Sequence, residues 1–323
     1  MRFRPSYMNE EPPGEPCADC SEWLGECPGC GADAESLAFL QWGRSLYRPL
    51  WFRYCRCERC GLVLVNPRRP ARIAETTLRD QAKDPGIYIR RWDFDRIELA
   101  RNIVRPVLRL LRPATRGERP PRWLDIGCAT GNLLEVARAA GFEAHGIELN
   151  AAYARWIAEH RPHIRLFSGR LEEMPAGEPF DVVSADNVLE HIHEPRLFLR
   201  AIRERLAPAG LAAIRSPNFH SLPRLARSAF GIGGSGVSID PDAHPCNYTR
   251  HSLLALLARE RFHLQRAVER FMVSYPLKYG MARRFGGRGG WPARAARRLY
   301  PLCFAFDWLA PFGGVDLAVF ARR

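Results

Sequence analysis

The sequence element with the strongest consequence for the fold is a glycine-containing turn between an apolar segment and a helical one. Residues 122–126 form a short apolar run, and Gly-Cys-Ala-Thr-Gly follows at residues 127–131. Residues 132–140 carry apolar side chains at helical spacing, and Gly141 ends them. Glycine permits backbone angles that other residues avoid, and it lets the main chain approach a ligand closely. The pattern therefore predicts a strand, a turn and a helix, with a ligand site at the turn.

Strand-like and helix-like segments alternate through the rest of the chain. We expect further strands at residues 144–149, 164–167, 180–185, 211–215, 263–268 and 316–321. Helical patterns occupy residues 151–160, 196–206 and 252–259. Alternation of this kind implies right-handed crossovers and a parallel sheet that is covered on both faces. We predict an α/β fold with a Rossmann-like, seven-stranded, mostly parallel sheet and helices on both faces.

The spacing of the glycines narrows the choice of nucleotide. A dinucleotide site needs G-x-G-x-x-G, whereas Gly127, Ala129 and Gly131 give G-x-A-x-G, with Asn132 in place of the third glycine. The sequence also lacks the Gly-Lys-Ser/Thr of a P-loop. Glu148 ends the next strand, and an acidic side chain there can accept hydrogen bonds from both ribose hydroxyls. The pattern argues against NAD and favours another ligand that contains ribose.

Two longer segments carry a family resemblance. LDIGCATGNLLEVARAAGFEAHGIELN, at residues 124–150, resembles the first two motifs of class I S-adenosylmethionine (AdoMet)-dependent methyltransferases. FDVVSADNVLEHIHEP, at residues 180–195, resembles the fourth-strand motif of the branch that includes ubiquinone-biosynthesis O-methyltransferases. The resemblance covers about residues 85–323 and implies AdoMet as the cofactor.

The resemblance also implies where the cofactor binds. Asp125 and the glycine turn would face the methionine end of AdoMet, Glu148 would hold the ribose, and the backbone at residues 169–171 would flank the adenine. The implied cofactor-binding residues are Asp125, Gly127, Cys128, Ala129, Gly131, Asn132, Glu148, Leu149, Gly169, Arg170, Leu171, Asp186 and Asn187. Two of these depart from the family pattern: Ala129 replaces the middle glycine, and Arg170 stands where relatives often have Asp. The second departure leaves only a backbone contact to the adenine.

Cysteine pairs dominate the N-terminal part of the chain. Cys27 and Cys30 form one C-x-x-C pair and Cys57 and Cys60 another, and each pair is followed by Gly. Four thiolates at this spacing suit a tetrahedral, structural zinc ion with no open position. Cys17 and Cys20 form a third pair without the Gly; we interpret it as a spare pair, with an alternate or second metal site as the alternative. Cys128, Cys246 and Cys303 are isolated and predicted to be packing residues.

The N-terminal cysteine unit completes a predicted domain organisation. It ends in CGLVLVNPRRP and resembles the zinc ribbons that are fused to many bacterial methyltransferases. We predict a disordered lead at residues 1–16, a zinc ribbon at 17–70, a helical linker or lid at 71–121 and the methyltransferase domain at 122–323. The small zinc-ribbon unit thus precedes the large sheet.

Two histidines are candidates for catalysis. Methyl transfer is an in-line displacement, and an oxygen or carbon acid benefits from a general base, for which His is the usual choice. His191 follows the fourth predicted strand, and His244 lies in a loop after the fifth, where a matching His recurs in the branch that this chain resembles. The alternative for each is a structural histidine.

Charge is concentrated towards the end of the chain. The formal net charge is +13, and residues 250–323 hold fourteen Arg or Lys and four Asp or Glu. The plain interpretation is a solvated basic face. The alternative is a surface for an anionic or carrier-linked acceptor, or for membrane headgroups. Residues 292–312 predict a helical cap over the sheet or, alternatively, an interfacial helix that makes peripheral membrane contact.

These observations leave three classes of function open. We favour methylation of a small molecule, such as a sugar, glycan or natural-product intermediate, at oxygen or carbon. An RNA methyltransferase is the alternative, but nucleic acid is less favoured because residues 17–66 lack a dense basic patch beyond residues 51–56. A non-catalytic zinc-ribbon interaction protein is the third. Without a long apolar run or a secretory signal we expect no transmembrane segment and a cytoplasmic protein; the oligomeric state stays open.

Overall fold

A computed structural model describes residues 11–45, 48–80, 85–111, 119–221, 240–270 and 316–323. The strands are β1 (Leu37–Arg44), β2 (Trp51–Cys57), β3 (Val63–Val65), β4 (Arg122–Ile126), β5 (Glu143–Glu148), β6 (Arg165–Ser168), β7 (Phe180–Asp186), β8 (Leu206–Pro217), β9 (Cys246–Asn247), β10 (His263–Arg270) and β11 (Asp316–Arg322). The helices are α1 (Ala71–Asp80), α2 (Pro85–Leu110), α3 (Asn132–Ala139), α4 (Ala151–His160), α5 (Pro195–Arg205) and α6 (Arg250–Arg259).

The larger sheet has seven strands in the order β10-β11-β8-β7-β4-β5-β6. Pairing is parallel from β8 through β7, β4 and β5 to β6, and β11 runs antiparallel between β8 and β10. The predicted seven-stranded, mostly parallel sheet is therefore confirmed. Because the chain builds outwards from β4 in both directions, the strand order reverses beside β4, which is where open α/β sheets form a binding crevice.

Alternating side chains along the strands divide the core into two layers. In β4, Leu124 packs in a cluster with α5 and α6, whereas Trp123 packs with α2, α3 and α4. Val183 and Val182 of β7 divide in the same way. Neighbouring strand residues point to opposite faces, so helices cover both faces of the sheet, as predicted.

The smaller sheet is antiparallel and has the order β1-β2-β3-β9. Its last strand comes from the segment between β8 and α6, so the polypeptide returns from the large sheet to pair with the N-terminal unit. Val63 pairs with Asn247 and Leu64 with Cys246. The sequence predicted Cys246 as an isolated packing residue; it is buried, and it also lies in this strand.

Several element boundaries differ from the predicted ones. β8 extends over Leu206–Pro217 instead of residues 211–215: its ladder with β11 continues to Pro217, and Leu206 at its start pairs with Phe180 of β7. The helical stretch predicted at residues 71–112 contains two helices, α1 and α2. Residues 1–10 of the predicted lead, the predicted cap at residues 292–312 and Cys303 lie outside the described residues. The domain boundaries stay predictions. Within the described residues, no helix is long and apolar enough to cross a membrane.

The central strand provides a test of the fold. Leu124 is fully buried in β4, so Leu124→Ala should lower the free energy of unfolding by about 2–5 kcal/mol through lost burial and the cavity left behind. Leu197 of α5 is 58% exposed, and Leu197→Ala should change stability by about 0.5 kcal/mol or less. Denaturant unfolding measures the free energy of unfolding of both variants. Equal losses of stability would contradict the central position of β4.

Candidate active site

The predicted cofactor residues lie at one edge of the large sheet. Asp125 and Glu148 lie at the carboxyl ends of β4 and β5, and Asp186 ends β7. Gly169 follows β6 directly. Since β7, β4, β5 and β6 are parallel neighbours, these ends meet along the same edge. The structure thus brings together the residues that the sequence assigned from separate motifs, although their roles stay predictions.

The turn after β4 depends on left-handed backbone. Gly127 has φ +67° and Gly131 has φ +76°. A Cβ at Gly127 would also lie 2.7 Å from Cγ2 of Val188, so glycine is required there on two grounds. Ala129 has φ 49°, an unfavourable conformation for a residue with a side chain. The turn therefore holds a constrained backbone at the point where the sequence predicts the cofactor.

Glu148 anchors this turn. Its carboxylate accepts hydrogen bonds from the Ala129 and Asn150 amides, each at 2.7 Å. These bonds link the glycine turn to the start of α4, and Glu148 is 7% exposed. A carboxylate has about four lone-pair sites, so it can accept more than two hydrogen bonds. The geometry fits the ribose role that the resemblance implies.

Asp125 is a buried carboxyl beneath the turn. Ser184 donates a hydrogen bond to its Oδ1 at 2.6 Å. Burial raises the pKa of Asp125 to about 8, Ser184 opposes this rise, and the nearby Asp186 and Glu148 add to it. A cationic ligand would favour the ionised form of such a carboxyl. AdoMet carries a sulfonium and an ammonium group, so the acidic edge fits its charge.

Asp186 is held by an arginine that the sequence analysis missed. Arg215 of β8 is 1% exposed, and its Nη2 lies 2.9 Å from Oδ2 of Asp186. A second carboxylate, Asp316, lies 3.6 Å from Nη1. Next to Asp186, Asn187 has φ 54°, and its buried Oδ1 has no hydrogen-bond partner among the described residues. That oxygen can accept a hydrogen bond from a ligand.

Helix α1 contacts the edge of the sheet where the resemblance implies that the adenine binds. Nη1 of Arg170 lies 3.1 Å from Oε2 of Glu75. Asn150 donates from Nδ2 to the carbonyl oxygen of Leu78 at 3.0 Å. Both contacts connect the edge of the sheet to α1, within the predicted linker or lid. The Arg170 side chain thus pairs with a carboxylate, and only its backbone stays assigned to the adenine.

The remaining predicted cofactor residues are Asn132, Cys128, Leu149 and Leu171. Asn132 accepts a hydrogen bond from Nη2 of Arg161 at 2.7 Å, and its buried Nδ2 has no partner among the described residues. Burial raises the pKa of the Cys128 thiol well above its usual range, so this cysteine is an inert neighbour of the site. Leu149 is half-buried and Leu171 is buried.

The two candidate histidines are in contact. The ring centroids of His191 and His244 lie 4.7 Å apart. Nδ1 of His191 lies 2.8 Å from the carbonyl oxygen of Ala243, so in the neutral ring that nitrogen carries the proton. His244 is 7% exposed, and its Nδ1 has no partner among the described residues. Burial lowers the pKa of His244 well below its usual range, and His191 lowers it further.

Glu190 is a third titratable group beside the histidines, and the sequence analysis gave it no role. It is 2% exposed and accepts a hydrogen bond from Ser216 Oγ at 3.0 Å. Burial raises the pKa of Glu190 to about 8. An oxygen of Glu190 and one ring nitrogen of each histidine lie within 4.8 Å of one another. The two candidate histidines and a buried carboxyl thus form one cluster.

The four predicted zinc ligands converge in the N-terminal unit. Their sulfurs lie within 4.8 Å of one another, with Cys27 and Cys60 at 3.7 Å and Cys30 and Cys57 at 3.6 Å. Zinc–sulfur bonds of about 2.3 Å in a tetrahedron imply about 3.8 Å between sulfurs, so the geometry fits the ion. A hydrogen bond from Cys27 lowers the pKa of Cys60 to about 5.

The glycine after each pair has left-handed backbone. Gly31 has φ +68° and Gly61 φ +72°. These angles turn the chain back, so that the Gly31 amide donates to the Cys27 carbonyl oxygen and the Gly61 amide to that of Cys57. The third pair differs: Cys17 and Cys20 are joined by a disulfide, which leaves neither sulfur as a thiolate ligand.

Comparison with known proteins identifies the family. A family described as "Methyltransferase domain" matches residues 94–265, more than half of the chain. The chain belongs to this family, as the resemblance predicted, and AdoMet is its cofactor.

Individual relatives match over shorter stretches. The chain is 34% identical to a ubiquinone biosynthesis O-methyltransferase of Caulobacter sp. (strain K31), over 34% of this chain and 46% of that protein. It is 30% identical to a dTDP-4-amino-2,3,4,6-tetradeoxy-D-glucose N,N-dimethyltransferase of Saccharopolyspora spinosa, over 33% and 44%. The matches thus span less than half the length of these relatives. A solved AdoMet-dependent methyltransferase from Archaeoglobus fulgidus is 19% identical, with 75% of this chain and 100% of that chain covered and a TM-score of 0.47.

The ribose assignment predicts a loss of affinity. Glu148→Gln should weaken binding of S-adenosylhomocysteine about 10–100-fold, because charge-assisted hydrogen bonds to the ribose are lost. Glu159→Gln, an exposed change on α4, should leave the affinity unaltered. Calorimetric titration compares the two, and an unchanged affinity in Glu148→Gln would show that the ribose binds elsewhere.

The sulfur geometry predicts the metal content. The full chain should hold about one zinc ion, and Cys60→Ser should lose it, because a closed site needs all four thiolates. The double variant Cys17→Ser/Cys20→Ser should retain it. Native mass spectrometry gives the stoichiometry; two zinc ions in the parent chain, or none in a folded one, would contradict the assignment.

Proposed function

We propose that this chain methylates an oxygen or carbon nucleophile of a small molecule, with His244 as the general base. The observation that carries the proposal is the buried contact between His244 and His191 on the acceptor side of the site. A lowered pKa keeps His244 neutral near pH 7, and the unpartnered Nδ1 can accept a proton. A neutral imidazole with an unpartnered nitrogen is the form of histidine that can take a proton from an acceptor.

The residues of this chain divide the chemistry between them. Glu148 binds the ribose, while Asp125 and Asp186 provide negative charge for the cationic end of the cofactor. Bound AdoMet would supply an activated methyl group on a sulfonium, whose sulfur would become a neutral thioether. Nδ1 of His244 would take the proton that the acceptor loses. Alignment of the acceptor with the methyl group then contributes most of the rate.

Two observations favour a small acceptor over RNA. His244 and Glu190 are almost fully buried, which suits an enclosed ligand. The two similar proteins named above are, by their names, enzymes of ubiquinone biosynthesis and of an amino sugar.

The excess of basic residues in 250–323 supports an anionic or carrier-linked acceptor. In the predicted cytoplasmic setting, reduced thiols would hold zinc in a purely structural role.

Methyl incorporation tests this function. The full chain should transfer labelled methyl groups from AdoMet into the small-molecule fraction of a cell extract, and His244→Gln should reduce the rate about 10²–10⁴-fold through loss of the base. His263→Gln, an exposed change on β10, should retain the parent rate. S-adenosylhomocysteine should bind all three proteins equally.

Other outcomes of the same assay would replace the proposal. Label that accumulates in RNA, with binding that falls steeply as salt rises, would identify an RNA methyltransferase. A chain that binds S-adenosylhomocysteine but labels neither fraction would favour the non-catalytic interaction protein. Full activity in His244→Gln would be consistent with a methyltransferase but would show that His244 is not its base.

A further inference from the structure

The segment that carries His244 is held by the N-terminal unit on both sides of the histidine. After His244, the Val65 amide donates to the carbonyl oxygen of Pro245 at 3.0 Å, and β9 then pairs with β3. Before His244, Nη1 of Arg69 lies 2.8 Å from Oδ1 of Asp242. These contacts come from β3 and Arg69, which follow the second zinc-binding cysteine pair in sequence.

Arg69 is unusual among the arginines that meet this segment. Its side chain is 7% exposed, and that of Asp242 is 11% exposed. Arg48 also reaches Asp242, with Nε at 3.4 Å, but its side chain is 45% exposed. A buried ion pair restricts its partners far more than an exposed one, and loss of Arg69 would leave Asp242 with only the exposed Arg48.

The Arg69 backbone reaches the other histidine turn. Nε2 of His193 donates to the carbonyl oxygen of Arg69 at 2.9 Å. The neighbouring Arg68 donates from Nη1 to the carbonyl oxygen of His193 at 2.8 Å. His193 follows His191 in the turn after β7, so Arg68 and Arg69 connect the turn of His191 to the segment of His244.

His244 itself is fixed by local backbone contacts. Its amide donates to the Asp240 carbonyl oxygen at 2.8 Å, and its own carbonyl oxygen accepts from Nδ2 of Asn247 at 3.1 Å. The Ala243 carbonyl oxygen meets His191. The segment at residues 240–247 is therefore a compact turn whose position depends on Arg69 on one side and on β3 on the other.

We propose that Arg69 is a positioning residue, which fixes residues 240–247 against the N-terminal unit and so sets His244 against His191. The N-terminal unit is then a structural part of the acceptor side of the active site. The inference rests on the proposed function for the role of His244 in catalysis. The arrangement of the segment itself can be measured independently of any methyl acceptor.

Hydrogen exchange on the full, zinc-loaded chain tests the proposal. Arg69→Ala should speed amide exchange at residues 243–249 about tenfold or more, because Asp242 loses its buried partner. Arg48→Ala removes the exposed arginine from the same carboxylate and should leave exchange unchanged. Arg69→Lys keeps the charge and should restore part of the protection. Zinc content and S-adenosylhomocysteine affinity should match the parent in all three variants.

Turnover of the acceptor fraction adds a second readout. Arg69→Ala should raise the apparent KM for the acceptor or lower kcat about tenfold or more, with partial rescue in Arg69→Lys. Unchanged exchange at residues 243–249 in zinc-loaded Arg69→Ala would overturn the proposal. If Arg69→Ala does not fold, Asp242→Asn removes the same ion pair, and unchanged exchange there would overturn it equally. If exchange is faster in Arg69→Ala but His244→Gln keeps full activity, Arg69 is still a positioning residue and only the proposal of His244 as the base is rejected.

Discussion

The short antiparallel pairing between β3 and β9 connects the two parts of the molecule on which function depends. Leu64 and Cys246 are both fully buried at this pairing. Buried backbone groups must find hydrogen-bond partners, so the register between the two strands is strongly fixed. The same pairing holds the segment of His244 against β3, which follows the two zinc-binding cysteine pairs in sequence. The proposed acceptor side of the site thus contacts the N-terminal unit as well as the large sheet.

The cofactor side of the site carries carboxyl groups, whose charge is complementary to that of a cationic cofactor. Glu148 accepts a hydrogen bond from the glycine turn, Asp125 is buried beneath that turn, and Asp186 forms an ion pair with Arg215. These carboxyl groups lie at adjacent strand ends and produce a negative edge that suits a cationic cofactor. The proposed base, His244, is a histidine that burial keeps neutral, and it lies in the segment between β8 and β9. The strand ends therefore carry negative charge that suits the cofactor, and proton transfer is proposed for a separate, neutral group.

Much of this arrangement could be predicted from sequence because the signals are local. The glycine turn, the acidic strand ends and the paired cysteines each lie within a few residues, and the alternating pattern predicts the sheet. β9 could not be predicted, since two residues give no strand periodicity and their partner lies far away in sequence. Arg69 and Arg215 also gave no signal, because arginines are usually exposed and only tertiary structure shows them buried.

A crystal structure of the full chain grown with S-adenosylhomocysteine tests the central claim most directly. We expect zinc on Cys27, Cys30, Cys57 and Cys60, ribose hydroxyls on Glu148, and His244 beside His191 with β9 paired to β3. A nucleotide bound away from Glu148, or a segment of His244 that is separated from β3, would contradict it.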